Sequence, residues 1–446
     1  MSFMFRRARG LASSISSSIP ICLSVAASLW LAPWSPATAA DAASTNTDAT
    51  TVLTLEAATT LALAANADVA AATRELEATE AAALQGRARP NPELSLTLED
   101  TRSATRTTTW QLNQAIEMGG KRAARIDAAE RSRDMAAAEL AARRAELRAA
   151  VAAAFRDVLV AQERITLAAD SVALAARASD AAGKRVLAGK ISPVEETRAK
   201  VAESTARMEA TQAQTQLRSA RLRLATHWGH LTPRFERAVG GAADLPALPT
   251  REVIDARLAA SPNLRRAQIE VQRRQALAAV ERARGVPDLT VSLGIKRSAE
   301  LGRNQAIVGL AIPLPVFDNN RGNLLEALRR EDKARDELAA TRVKLATDVL
   351  LAREQLDAAR AEAQNLLGDI LPGAQSAYDA ATKGFDLGKF NFLDVLDAQR
   401  TLFQAKSQYL RALADAHRAS ADIDRLLGDS PEPAAQQPNA FTRSTQ

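Results

Sequence analysis

The side chains best placed to do chemistry are charged residues gathered at two tight turns. Glu195 and Arg198 follow the run Gly189-Lys190-Ile191-Ser192-Pro193, and Asp394 and Asp397 follow Gly388-Lys389-Phe390-Asn391. Carboxylates at this spacing offer attraction of cations or capping of a helix, not bond making. Ser192 with Glu195, and Asn391 with Asp394, have the spacing of a capping box, in which the first side chain accepts from the third helical N–H and the third side chain bonds back. That role accounts for Glu195 and Asp394. Asp397 lies one turn further in, where capping does not explain it. The chain shows no nucleophile–base pattern, glycine-rich phosphate loop or HExxH run, and no pattern places a carboxylate pair in a pocket. His227 and His230 stand three apart with no cysteine nearby, and His417 is the only other histidine, which does not make a zinc site of ordinary spacing. No catalytic residue, metal or cofactor is expected, and the chain does not read as an enzyme.

The elements that carry these residues are long helices. Gly189 and Gly388 each sit where a helix end favours a left-handed residue. They are 388 − 189 = 199 positions apart, and the surrounding patterns match, so the chain reads as two internal repeats. Aromatics make up only 4% of the residues, and the charged 25% are interleaved in sign, the profile of helices packed side by side with solvated outer faces. Val151, Val158, Ile165 and Val172 recur every seven residues, with Ala154, Ala161, Ala168 and Ala175 three places later. This heptad seam with a small-residue side predicts close helix packing and a left-handed coil. A helix from Arg122 to Leu187 would be on the order of 100 Å long, deeper than any compact domain. Pro372 falls inside the matching helix of the second half and predicts a kink, costing about 3 kcal/mol if uncompensated.

The predicted organisation is a signal peptide over 1–40, a disordered tail over 41–52, a first repeat over 53–226, a connector over 227–250, a second repeat over 251–428 and a disordered tail over 429–446. Arg6, Arg7 and Arg9 before the apolar run Ile19 to Leu31, with Ala37-Thr38-Ala39 as cleavage pattern, carry the signal reading. Removing those three arginines takes the formal charge from +6 to about +3 (6 − 3), too small and scattered for a nucleic-acid partner. The one cysteine, Cys22, lies in the removed segment, so the mature chain makes no disulfide. No later stretch has the ~20 apolar residues of a spanning helix.

Between the helices the period drops from 3.6 to 2. Leu94, Leu96 and Leu98 alternate with polar residues, as do Thr108, Trp110 and Leu112, predicting a hairpin over about 92–114. Leu289, Val291, Leu293 and Ile295, then Val308, Leu310 and Ile312, predict a second over about 287–312. Trp110 is a candidate for an interfacial aromatic belt. Four strands of about nine residues have the length of tilted membrane strands. Lipid does not tolerate open sheet edges, and four strands cannot close. Two copies would give eight strands filled by side chains, and three would give twelve around a lumen.

With these features together, the chain resembles the TolC family of trimeric outer-membrane efflux ducts, and within it the branch that serves heavy-metal resistance pumps. The carrying stretches are Ile116 to Arg122, Gly189 to Arg198, Phe317-Asp318-Asn319-Asn320-Arg321-Gly322, and Gly388 to Arg400. The resemblance implies a mainly α fold, with a trimeric α-helical barrel in the periplasm and a 12-stranded β-barrel in the outer membrane. It implies a homotrimer working with a periplasmic adaptor (membrane fusion) protein and an inner-membrane RND pump. It places the tip turns, 188–192 and 387–391, at the narrow periplasmic end, with Gly189, Lys190, Ile191, Gly388, Lys389 and Phe390 as the adaptor-docking surface. Glu195, Arg198, Phe385, Asp394 and Asp397 become gate candidates. Acidic rings at Asp394 and Asp397 would favour cations, an Arg198–Asp397 ion pair would tie the tip shut, and Phe385 matches a closing aromatic but lacks its hydroxyl. The function implied is passive export of divalent heavy-metal cations such as cobalt, zinc or cadmium. The alternatives are a duct for organic toxins or secreted protein and, in another class, a periplasmic adaptor with long hairpins.

Overall fold

A computed structural model describes residues 52–241 and 244–428. The expected signal peptide, the tail up to residue 51 and the tail 429–446 lie outside the described residues. The order is β1 (Val52–Leu53), α1 (Leu55–Ala65), α2 (Ala67–Gly86), β2 (Glu93–Glu99), β3 (Thr107–Ile116), α3 (Lys121–Leu187), α4 (Pro193–Thr226) and β4 (Arg237–Ala238), then α5 (Arg251–Ala259), α6 (Pro262–Arg284), β5 (Leu289–Ser298), β6 (Arg303–Ala311), α7 (Arg321–Asn365), a π-turn (Leu366–Ile370), α8 (Leu371–Asp386) and α9 (Phe392–Leu427). The fold is mainly helical, and both halves run helix, hairpin, long helix, turn, return helix.

The heptad seam is the core of the first half. Val151 and Val158 of α3 are fully buried beside Phe155 and Leu159, against Leu217 and Leu224 of α4. Burying each such side chain contributes roughly 1.5–3 kcal/mol, and the alanines at 161, 168 and 175 let the helices approach. With 67 residues, α3 is about 100 Å long. The second half repeats this packing with Leu345, Val349 and Leu356 of α7 against Ile423 and Leu427 of α9.

Pro372, where the sequence predicts a kink, follows a π-turn over Leu366–Ile370 within a continuous helical run. The π-turn immediately before it lets the Leu371 N–H donate to the Leu366 carbonyl, five residues back. A π-turn widens the helix by one residue, so the proline ring is taken up at the start of α8 without ending the rod. The connector also departs from a plain loop. Val52, expected in the tail, pairs through β1 with β4 in parallel. Gln162 of α3 clamps that strand from the side, donating to the Ala238 carbonyl at 2.9 Å and accepting from its N–H at 2.8 Å.

Both hairpins join in one antiparallel sheet of order β2-β3-β5-β6. The register aligns Leu96, Trp110, Ile295 and Ala306 in one cross-strand row, and Leu94, Leu112, Leu293 and Val308 in the next on that face. The intervening rows are mostly polar: Ser95, Gln111, Gly294 and Ile307, then Thr97, Thr109, Lys296 and Gln305. Here the apolar face is the exposed one. Trp110 is 52% exposed and Val308 76%, while Ser292 and Thr107 on the polar face are buried. A water-soluble sheet does the reverse. Gly294 is required at its place, because a Cβ there would stand 2.7 Å from the Trp110 carbonyl oxygen.

A collar of ion pairs fixes the sheet to the helices. Lys121, the first residue of α3, pairs with Asp288 at 2.8 Å, and Asp288 also accepts from the Met118 N–H at 3.1 Å. Burial works to raise the Asp288 carboxyl, but these two partners outweigh it and hold it below the usual range. Arg125 is hydrogen-bonded to Glu117, which lowers that carboxyl against the opposing effect of burial.

Candidate functional site

The two turns are built alike. In the first, Lys190 N–H donates to the Arg185 carbonyl at 2.8 Å and Gly189 N–H to Val186 at 2.9 Å. In the second, Lys389 donates to Gly384 at 2.8 Å and Gly388 to Phe385 at 3.0 Å. These paired bonds, six-to-one and five-to-two, are those of a Schellman motif with its glycine left-handed. Gly189 has φ 63° and Gly388 φ 71°, so the sequence expectation for both glycines holds.

The caps that restart the helices differ. Asn391 and Asp394 form a full capping box: Asp394 N–H donates to Asn391 Oδ1 at 3.1 Å, and Asn391 N–H to Asp394 Oδ2 at 3.0 Å. Ser192 caps α4 by accepting from the Val194 N–H at 3.3 Å. The reciprocal bond expected from Glu195 is not formed, since a serine bonded at the second helical N–H, behind Pro193, leaves the box geometry open. Glu195 is therefore a half-buried first-turn carboxylate without the capping role read from its spacing.

The remaining candidates separate by burial. Lys190, Lys389, Arg198 and Asp397 are exposed. Arg198 and Asp397 form no ion pair with each other within the chain, so the expected tie between them is absent from the protomer. Ile191, expected on the exposed surface of the turn, instead packs beside Ala182, Ala199 and Leu396. Its apolar side chain gains more by turning inward than by staying in water. Phe390 is half-exposed and lies over Gly384, where an added Cβ would collide with the ring. Gly384 thus makes room for Phe390, which the sequence alone did not reveal.

Two further contacts join the hairpins, and both were missed from the sequence. Leu396 of α9 is buried among Ala182 of α3 and Ala199 of α4. The Arg185 guanidinium carbon stands 3.6 Å from the centroid of the Phe385 ring, a cation–π stack. The signal was available: the 199-residue offset that superposes the turns puts Arg185 and Phe385 one position apart at matching helix ends. Above the turns, α3, α4 and α9 leave an open groove of about 640 Å³ lined by Gln212, Gln399 and Arg400 together with Leu167, Leu396 and Phe403. Among the described residues no group of histidine, cysteine, aspartate and glutamate has metal-binding geometry, and no helix is long and apolar enough to cross a membrane. The arrangement is an opening of mixed polar and apolar lining between two tied hairpins, with exposed charge at the turns.

The profile of the family described as "Outer membrane efflux protein" matches residues 58–230 and again 253–429. The chain is 52% identical over 376 residues to the cobalt-zinc-cadmium resistance protein CzcC of Cupriavidus metallidurans, a span that covers 84% of this chain and 90% of that protein. It is 30% identical over 279 residues to the nickel and cobalt resistance protein CnrC of the same organism, 60% of this chain and 65% of that one. Among solved structures, the fold superposes on CusC, described with its conformational changes on folding and transmembrane channel formation, with a TM-score of 0.73 at 18% identity over 84% of this chain and 92% of that one. With its doubled helix–hairpin–helix plan, inverted sheet and tied tip, the chain belongs to the outer membrane efflux protein family.

Proposed function

We propose that the chain, built from two internal repeats, is a passive outer-membrane duct of a tripartite efflux system that carries divalent heavy-metal cations such as cobalt, zinc or cadmium. One observation carries the duct: a four-stranded sheet with its apolar face outward and both edges open, mounted on helices about 100 Å long. Such a sheet is unstable in water and in lipid unless further strands close it. The cargo rests on the kinship with CzcC, whose name records cobalt, zinc and cadmium resistance.

The same count of copies satisfies every level of the chain. Across the sheet the order is β2-β3-β5-β6; in the adjoining helices it is α2-α3-α6-α7, and near the tip α4-α3-α9 with α7 and α8. Each level is four elements wide with two free flanks. Those flanks are apolar. Val194, Val201 and Met208 of α4 lie exposed at seven-residue spacing, and Val343, Leu350 and Leu367 are exposed on the opposite flank. Three copies give twelve strands around a lumen and a twelve-helix tube below it. In this reading the helices extend into the periplasm toward an adaptor and an inner-membrane RND pump, which supplies the energy. The turns with Gly189, Lys190, Gly388, Lys389 and Phe390 face the adaptor, and Ile191 supports them from within. Glu195, Arg198, Phe385, Asp394 and Asp397 surround the narrow end. Asp397, exposed and free of any cap, is the residue to form a cation-attracting ring.

The test is a deletion strain challenged with cobalt, zinc and cadmium salts and with organic toxins. Sensitivity to the metals alone, restored by the intact gene, is expected; sensitivity to the organic compounds alone would replace the cargo assignment. For the duct, the purified protein should run as a trimer with bound detergent, and Val201→Asp should shift it toward monomer. In planar bilayers Asp397→Ala should weaken cation preference; an unchanged preference removes Asp397 from the ring.

A further inference from the structure

The outward face of the sheet is charged at one end only. Following the register beyond Trp110 and Ile295 toward the hairpin turns, the next row on that face is Leu98, Thr108, Arg297 and Asn304. The ladder continues one step, because the Ala299 N–H donates to the Arg106 carbonyl at 3.0 Å. Arg106 therefore shares the face of Thr108 and Trp110 and stands diagonally across from Arg297, about 7–8 Å away by the geometry of antiparallel pairs. Both arginines are exposed, and among the described residues neither has an ion-pair partner. The nearby carboxylates are engaged or lie elsewhere. Glu99 is on the polar face and pairs with Lys296 at 3.4 Å. Asp100 accepts from the Thr105 hydroxyl and from the Arg102 N–H, which hold it below the usual carboxylate range. Glu300 lies in the turn. At the helix end of the same face the corresponding residues are Gln114, Ile116, Leu289 and Leu310, none of them charged.

Two unpaired guanidinium groups bordering an exposed apolar band match an amphiphile with acyl chains and phosphate. We infer that Arg106 and Arg297, above Leu98, Trp110 and Ile295, form a binding site for the phosphorylated glycolipid of the leaflet that the hairpin turns face. The planar fork of arginine suits phosphate bidentately, Thr108 and Asn304 add polar groups in the same row, and the apolar rows below receive the chains. The inference rests on the proposed duct, in which the turns face outward and the leaflet around them is glycolipid rather than phospholipid.

The full-length protein, purified in detergent, would be titrated with a bisphosphorylated glucosamine lipid, its dephosphorylated form and phosphatidylglycerol, with bound lipid counted by native mass spectrometry. The bisphosphorylated glycolipid is expected to bind most tightly, and the paired substitution Arg106→Gln with Arg297→Gln to weaken it about tenfold or more. Arg297→Lys, which keeps the charge and loses the fork, should fall between. Arg282→Gln, an exposed arginine at the helix end, should bind as the unaltered chain does. Equal binding by the paired variant, equal loss in Arg282→Gln, or no preference over the dephosphorylated lipid or phosphatidylglycerol would each overturn the site. Light scattering separates this from failure of the duct itself: a detergent belt on every variant leaves the duct standing, and no belt on any of them removes both.

Discussion

Replacing Phe385 with leucine keeps most of the apolar contact with Ala182, Ala199 and Leu396 while deleting the ring face that Arg185 covers at 3.6 Å. Both side chains are half-buried, which places the stack between the exposed and desolvated limits, about 0.5–2 kcal/mol. If this contact ties the α3–α4 hairpin to the α8–α9 hairpin in the closed tip, its loss shifts the closed-to-open equilibrium by about 2- to 30-fold. Arg185→Gln should do the same, because it removes the other half of one contact. The assay is channel opening in planar bilayers for the parent, both single variants and the double variant, read as a double-mutant cycle. The double variant should open no more readily than the stronger single variant, and Phe385→Tyr, which restores a ring face, should return the parent behaviour. Strictly additive effects of the two single changes, or a Phe385→Tyr channel as leaky as Phe385→Leu, would refute the stack as the tie. Salt gives a second reading, since a stack without a carboxylate partner should be less sensitive to ionic strength than a surface ion pair.

Three more outcomes follow from the geometry. Asn391→Ala removes the side-chain oxygen that accepts from the Asp394 N–H, leaving the bond from its own backbone N–H to Asp394, and should cost about 1 kcal/mol, seen as roughly fivefold faster amide exchange in the first turn of α9, with no change at Val194 to Glu196. Gly294→Ala drives a methyl group onto the Trp110 carbonyl, and since neither backbone can retreat without opening the β3–β5 ladder, a loss of roughly 1–3 kcal/mol is expected, measured as a lower unfolding temperature of the membrane-inserted form. Glu117 carries a lowered carboxyl pKa because of its bond to Arg125; a lowered folded-state value stabilises above the ordinary carboxylate pKa and is lost as pH falls through the folded value. Glu117→Gln should therefore be less stable than the parent at neutral pH, by about 1.5–3 kcal/mol, and the gap should close in acid; a gap that persists below the folded value contradicts the assignment.

The sequence by itself determined the elements. Heptad spacing of Val151 and Val158 set the long helix, because only one face of so long a rod can be buried; period-two alternation set the four strands; and glycine at 189 and 388 set the turns, since a left-handed helix end admits little else. It also determined that Asp394 caps α9, because a capping box is local. The contacts between segments distant in the chain were decided only by the tertiary structure. Glu195 has the same spacing as Asp394 but no capping bond, because the serine before Pro193 bonds a different N–H. Ile191 turned inward once Leu396, more than 200 residues later, supplied an apolar neighbour. Pro372 was taken up by a π-turn, a register change that no propensity encodes. The joining of the two hairpins into one sheet, and with it the outward apolar face bounded by Arg106 and Arg297, depends on the pairing of β3 with β5, which lie on opposite sides of the connector. A sequence states which face of a strand is apolar; which strand lies beside it, and hence which side chains meet across the sheet, follows only when the chain has folded.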